Sequence, residues 1–368
     1  MAQMVKRACK YRFHPTPGQA SELARTFGCV RLVHNKALEK RSRAYALEGR
    51  RVSYVESSAR LTEWKRSGEF DFLSEVSSVP LQQALRHLQA GFANFFAKRA
   101  KYPTFRSRKK SRLSAEYTRS AIRWRDGQLT LAKMDAPLAI VWSRPLPDGA
   151  EPSTVTVSKD AAARWFVSIL VEEGISPLPP VEANVGIDAG ITALATLSTG
   201  EKIFNPKYGC RDRRKLAKAQ QAFARKEKGS NNRARARLKV ARAYARITDR
   251  RRDHLHKVTT RLVRENQVIA VEDPTVRNMV KNRSLARAIS GASWREMRSM
   301  LEYRTARYGR TVIAVDRWFP SSKLCSACGI LRDKMPLNVR AWECTCGAVH
   351  DRDVNAAKNV LAAGLAES

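Results

Sequence analysis

Two cysteine pairs, Cys325-Ser326-Ala327-Cys328 and Cys344-Thr345-Cys346, stand fifteen residues apart near the C-terminus. A thiolate tetrad at this spacing binds Zn2+ tetrahedrally as a structural ribbon, and four thiolates leave no open position for catalytic water. One residue separates Cys344 from Cys346 where two are usual. That tightens the second knuckle and leaves a three-thiolate site as the alternative, with His350 read as a support for the adjacent turn. Three acids carry the other chemistry. Asp188 ends the apolar run Val185-Gly186-Ile187, Glu272 ends Ile269-Ala270-Val271, and Asp353 opens the last helix. Three carboxylates can hold two Mg2+ ions about 4 Å apart, which activate water and stabilise a leaving oxygen. Each acid alone also has a local explanation, since acids cap strands, turns and helix starts, and Asp351 is a candidate N-cap.

The elements that must position these residues are legible in outline. Asn184–Ile187 reads as a strand; 192–197 and 202–204 flank Ser198-Thr199-Gly200-Glu201 as a hairpin; 267–271 and 310–315 read as further strands, and 354–365 as the closing helix. An acid at the end of a strand followed by a hairpin, an acid after a later strand and an acid at a helix start form the pattern of an RNase H-like nuclease. Upstream, Cys9, Tyr11 and Phe13 alternate with Lys10 and Arg12 as a half-buried strand ended by Pro15. Thr16, Pro17 and Gln19 form a capping box for a helix reaching about Gly49, and Leu81, Leu85, Leu88, Phe92 and Phe95 stripe a helix opened by Ser78 and Pro80. Residues 122–124 and 129–132 flank the turn Asp126-Gly127, while 154–157 and 165–171 form another strand pair. With the first strand they are expected to close a small barrel. Residues 174–183 hold three prolines and read as a linker.

Composition selects the partner. Lys and Arg outnumber Asp and Glu by 69 to 34 over 368 residues, a formal charge of +35, which attracts polyanions. Residues 207–264 alone carry 21 Lys or Arg against four acids, with a break at Lys228-Gly229-Ser230-Asn231. Lys98, Arg99, Lys101, Arg106, Arg108, Lys109, Lys110 and Arg112 interleave with Tyr102 and Phe105, a pattern that suits phosphates and base stacking. No stretch approaches the ~20 apolar residues of a membrane span. Seven cysteines, four of them in two clusters, fit a metal site in a reducing cytosol better than a disulfide framework; Cys9, Cys29 and Cys210 read as plain thiols.

The motifs Val185-Gly186-Ile187-Asp188-Ala189-Gly190, Ile269-Ala270-Val271-Glu272-Asp273, Ser321-Ser322-Lys323-Leu324-Cys325 and Asp351-Arg352-Asp353-Val354-Asn355-Ala356-Ala357-Lys358-Asn359 closely resemble the TnpB family of insertion-sequence proteins, relatives of type V CRISPR effectors. The resemblance extends to Tyr11–Pro17 and Tyr102–Arg108, so it covers nearly the whole chain. It implies an α/β multidomain protein: a wedge β-barrel (1–15 and 113–175), a helical recognition lobe (16–112), an RNase H-like RuvC nuclease domain (183–319 and 347–368) and an inserted, target-binding zinc ribbon (320–346). It further implies an RNA-guided DNA endonuclease whose guide RNA derives from the transposon end and whose double-stranded DNA target lies beside a short motif. The implied catalytic, Mg2+-binding residues are Asp188, Glu272 and Asp353. Asp353 is preferred to Asp351 because related effectors keep the acid two residues before the Asn of Asn-Ala, here Asn355. Cys325, Cys328, Cys344 and Cys346 would bind Zn2+. A monomer with RNA, acting on the bacterial nucleoid, is expected. A transposase joining strands, and an RNA-guided repressor that does not cut, are the rival readings.

Overall fold

The computed structural model describes residues 3–109, 111–273, 281, 286–336 and 338–367. Two units, 4–174 and 175–368 with residues 1–3, divide the chain.

In the first unit, the alternation around Cys9, Tyr11 and Phe13 becomes strand β1 (Gln3–Phe13), with all three side chains buried. The capping box forms as expected at α1 (Pro17–Glu48): Gln19 N donates to Thr16 Oγ1 at 3.2 Å and Thr16 N donates to Gln19 Oε1 at 3.1 Å, worth about 1 kcal/mol. Gly49 ends the helix at φ 62°, where a side chain would be strained. Helix α2 (Tyr54–Arg66) has its own capping box, Ser53 with Glu56, but buries only Ser57 and Leu61. With so little apolar stripe it was not expected from sequence. Helix α3 (Ser78–Phe96) packs Leu81, Leu85, Leu88 and Phe92 into the core beside α1. Each such burial contributes about 1.5–3 kcal/mol.

The expected barrel does not close. Strands β2 (Leu113–Thr118), β5 (Ile140–Val141), β6 (Thr154–Lys159) and β7 (Trp165–Ile175) join β1 in an open sheet ordered β2-β6-β7-β1-β5. The hairpin β3 (Ile122–Arg125) and β4 (Gln128–Leu131) pairs within itself, around Asp126 and Gly127 at φ 49° and 73°, the positive-φ turn that an Asp-Gly pair favours. Closure requires a full ladder on both edges, and β5 offers only two residues. The sheet instead buries its apolar face under α1 and α3, so the strand-rich and helical segments share one core.

The second unit is built on a mixed sheet, β10-β9-β8-β11-β12. Strands β8 (Asn184–Asp188), β9 (Ala193–Leu197) and β10 (Lys202–Phe204) form an antiparallel meander, whereas β11 (Val268–Glu272) and β12 (Thr311–Val315) run parallel to β8. Their crossovers hold α4 (Tyr208–Arg211), α5 (Arg213–Ala224), α6 (Asn231–Glu265), α7 (Ala286–Ala292) and α8 (Trp294–Tyr308). Helix α5 buries no residue and lies on α6, the weakly packed basic pair anticipated from composition. Helix α8, not expected from sequence, buries Trp294, Met297, Met300 and Leu301. Hairpin β13 (Ala341–Glu343) and β14 (Val349–Asp351) carries the second cysteine pair straight into α9 (Arg352–Ala366). Among the described residues no helix is long and apolar enough to cross a membrane.

Candidate active site and metal centre

Parallel pairing decides where two of the acids lie. Ile187 stands opposite Val271 in the β8–β11 ladder, so Asp188 and Glu272, one residue on, leave the same edge of the sheet side by side. Their carboxyls lie close enough for each to perturb the other's ionisation. The third acid arrives on α9, which crosses the sheet at very short range. A Cβ at Gly186 would stand 2.0 Å from the Ala357 carbonyl oxygen and 2.7 Å from the Leu361 nitrogen, and one at Gly364 would stand 2.6 Å from Ala270 Cβ. Only glycines at these crossings allow the helix to sit so low. Asp353 lies one turn before Ala357, and its charge reaches Asp188.

The electrostatics follow from that crowding. Burial, then the neighbouring charges of Glu272 and Asp353, push the Asp188 carboxyl up to about 8, and burial raises Glu272 above the usual carboxylate range against a hydrogen bond from the Ala189 backbone. Repelling anions on an inner edge are what a divalent cation neutralises, and an all-carboxylate set suits a hard cation. Asp353 is also held by Arg340 at 3.4 Å. Asp351 is the N-cap of α9: its Oδ1 accepts from the Asp353 and Val354 backbone N–H groups at 3.1 and 3.0 Å, and its Oδ2 pairs with Lys202 at 2.7 Å. The two aspartates, with Arg352 between them, thus have different partners.

The cysteine pairs converge. All four Sγ atoms lie within 4.8 Å of one another, the only such ligand group among the described residues; the three carboxylates are less tightly clustered. Cys325 Sγ is 3.8 Å from Cys346 Sγ and Cys328 Sγ is 3.6 Å from Cys344 Sγ. Tetrahedral thiolates about 2.3 Å from a metal are about 3.8 Å apart, so the short second knuckle still delivers its sulfur to a site fit for a metal such as zinc. Gly329 and Gly347, at φ 76° and 82°, turn the two knuckles. A hydrogen bond from the Cys346 backbone lowers the Cys344 thiol to about 6, despite burial. His350 lies outside the four-sulfur group: its Nε2 is 3.1 Å from Cys325 Sγ and its ring packs on Trp342.

The link between these centres is nonlocal and was not expected from sequence. Asn355 and Asn359, one turn apart on α9 and buried, hold the first knuckle. Asn355 Nδ2 donates to Leu324 O at 2.7 Å and its Oδ1 accepts from Ser326 N at 2.9 Å, while Asn359 Nδ2 donates to Ser321 O and Leu324 O. Two asparagines at i and i+4 in an apolar helix were the available signal, because such groups are buried only when bonded. In the first unit, the basic segment after α3 is pinned rather than loose. Asn35 exchanges two hydrogen bonds with the Arg106 backbone, and Tyr102 packs edge-on against Phe92 and Phe95, leaving Phe105 exposed. Lys110 lies outside the described residues.

Residues 166–283 match the OrfB_IS605 family profile, "Probable transposase"; residues 294–360 match "Cas12f1-like, TNB domain", and residues 1–50 match "Helix-turn-helix domain". Over its whole length the chain is 71% identical to a Streptomyces pristinaespiralis protein named "Putative RNA-guided DNA endonuclease", covering 92% of it. Over 98% of its length it is 32% identical to the Escherichia coli K12 "Putative RNA-guided DNA endonuclease InsQ", covering 94% of that protein. The chain belongs to the TnpB family. This TnpB-family chain also shares its mixed α/β fold with the protein of a Cas12f1–sgRNA–target DNA complex, at TM-score 0.59 and 12% identity over 97% of this chain and 98% of that one. Where the helix-turn-helix profile falls, this TnpB member has strand β1 and one continuous helix, α1.

Proposed function

We propose that this TnpB-family protein is an RNA-guided DNA endonuclease whose RuvC-type centre consists of Asp188, Glu272 and Asp353. The observation that carries the reading is the crowding of Asp188 and Glu272 at one inner sheet edge, within reach of the Asp353 charge. Two Mg2+ ions held by these acids would activate water and stabilise the leaving oxygen of a phosphodiester. The protein's own contribution is position. Parallel strands β8 and β11 fix two acids, Asp351 caps the first turn of α9 from which Asp353 projects, and Arg340 steadies its carboxylate. A structural Zn2+ on Cys325, Cys328, Cys344 and Cys346 would stiffen the ribbon, and Asn355 and Asn359 tie that ribbon to the helix bearing Asp353.

The remaining assignments belong to the same proposal. Residues 183–319 and 347–368 are read as the nuclease domain, 320–346 as the target-binding ribbon, 16–112 as the recognition lobe, and 1–15 with 113–175 as the wedge. Guide RNA from the transposon end and double-stranded target DNA would occupy the basic surface, with α5 and α6 facing the heteroduplex and releasing counterions from its phosphates. Sequencing RNA that co-purifies with the protein identifies the guide, and a duplex matched to it is the substrate. Asp188→Ala is expected to retain RNA and DNA binding and to lose cleavage in Mg2+; cutting at the wild-type rate overturns the assignment. Strand joining by the protein without RNA would favour the transposase reading instead.

A further inference from the structure

Trp318 is 85% exposed, the most exposed of the large apolar side chains among the described residues. An indole left in water forgoes the burial that makes tryptophan useful in a core, and a single exposed apolar residue needs no explanation when its loop is loose. This loop is not loose. Asp316 Oδ1 accepts from the Trp318 backbone N–H at 2.7 Å, and Asp316 O accepts from Phe319 N at 3.0 Å. Phe319 then packs inward against Ala270, Val315 and Val360, and Ser321 N closes on Phe319 O at 2.8 Å. The chain is anchored on both sides of the indole, which is turned outward.

Its place is as specific as its rigidity. Val315 is paired with Glu272 in the parallel β11–β12 ladder, so Trp318 emerges three residues later from the sheet edge that carries Asp188 and Glu272. Arg317, its neighbour, reaches Asp273 at 3.8 Å, the residue after Glu272, and Arg298 pairs with the same carboxylate at 2.6 Å. Three residues span at most about 10 Å and adjacent strands about 5 Å. The indole therefore lies within a few nucleotides of any phosphate bound at the acids. A flat, pre-ordered aromatic at the sheet edge that carries the acids is what an unpaired base stacks on without regard to sequence.

We propose that Trp318 is a positioning residue: its indole stacks on a base of the DNA strand being cut and holds the adjoining phosphate at the acids. This rests on the assignment of Asp188, Glu272 and Asp353 as the cleavage centre. The test uses the full chain with its co-purified RNA and a matched duplex carrying one abasic nucleotide, stepped through the positions flanking the cut. In the wild type, one abasic position is expected to slow single-turnover cleavage roughly 5- to 150-fold, the range of one stacking contact, with duplex affinity unchanged. Trp318→Ala is expected to slow cleavage of intact DNA by the same factor and to show no further abasic penalty, while Trp318→Phe restores most of the rate. In parallel, 2-aminopurine at that position is expected to be quenched by an Asp188→Ala complex and to recover in the Asp188→Ala, Trp318→Ala double variant, which needs no cutting. An undiminished abasic penalty in Trp318→Ala, an unchanged rate in that variant, or no abasic penalty at any position in the wild type overturns the stacking role. Cleavage by Asp188→Ala itself would instead overturn the centre on which it rests.

Discussion

Gly186→Ala isolates the dependence of the proposed site on the approach of α9 to β8. The new methyl would lie 2.0 Å from the Ala357 carbonyl oxygen and 2.8 Å from Leu361 Cβ, whereas ordinary contact begins at 3.4 Å. Both obstacles belong to the helix backbone or its first side-chain atom, so no rotamer change relieves them. The helix must retreat by about 1.4 Å, the difference between 3.4 and 2.0 Å, and Asp353, one turn before Ala357, moves with it. Overpacking of this kind costs about 1–3 kcal/mol, and a 1 Å misplacement at a reacting centre costs about 100-fold in rate. The expected outcome is a stable, RNA-binding protein with a lowered denaturation midpoint and about 100-fold slower single-turnover cleavage. Gly28→Ala in α1 is the matched control, because a Cβ there meets nothing within 4 Å; it should be neutral or stabilising by up to ~1 kcal/mol, with cleavage unchanged. Wild-type stability and rate in Gly186→Ala would refute the reasoning that close helix–sheet packing sets the third acid.

The cysteine site predicts one zinc per chain by elemental analysis, lost in Cys325→Ser; a zinc-free wild type purified without chelator would contradict the tetrad. His350→Ala should keep the metal but bind it about 10- to 100-fold more weakly in competition with a chromophoric chelator, because Nε2 supports Cys325 without replacing it. His34 supplies a pH dependence: burial, then the Arg106 charge, lower it to about 4. The unfolded chain binds the proton first, near 6.5, so this stabilisation is complete above that value and falls as pH drops toward 4. By about pH 5 the loss is about 2 kcal/mol, read as the difference in urea stability between wild type and His34→Gln; parallel pH profiles for the two would remove His34 as the cause.

Local chemistry makes much of this protein legible in its amino-acid order. The Thr16 capping box, the Asp126-Gly127 turn, the α3 stripe and the four cysteines depend on residues a few positions apart, where spacing alone fixes geometry. The same short range explains what was misjudged. Barrel closure depends on whether β5 and β2 can meet, which no local pattern encodes, and α2 lacks the apolar stripe that announces a helix. The sequence alone marked Asp188, Glu272 and Asp353 as candidate acids, but each sits where acids are common for local reasons. Tertiary structure set Asp188 beside Glu272, through the parallel register of β8 and β11, and brought Asp353 near through the bare Gly186 crossing. It also separated Asp351 from Asp353, one a helix cap paired with Lys202 and the other paired with Arg340, its charge felt at Asp188. Nonlocal pairing and close packing decide such matters because burial and mutual repulsion among the acids exist only once distant segments have been brought together.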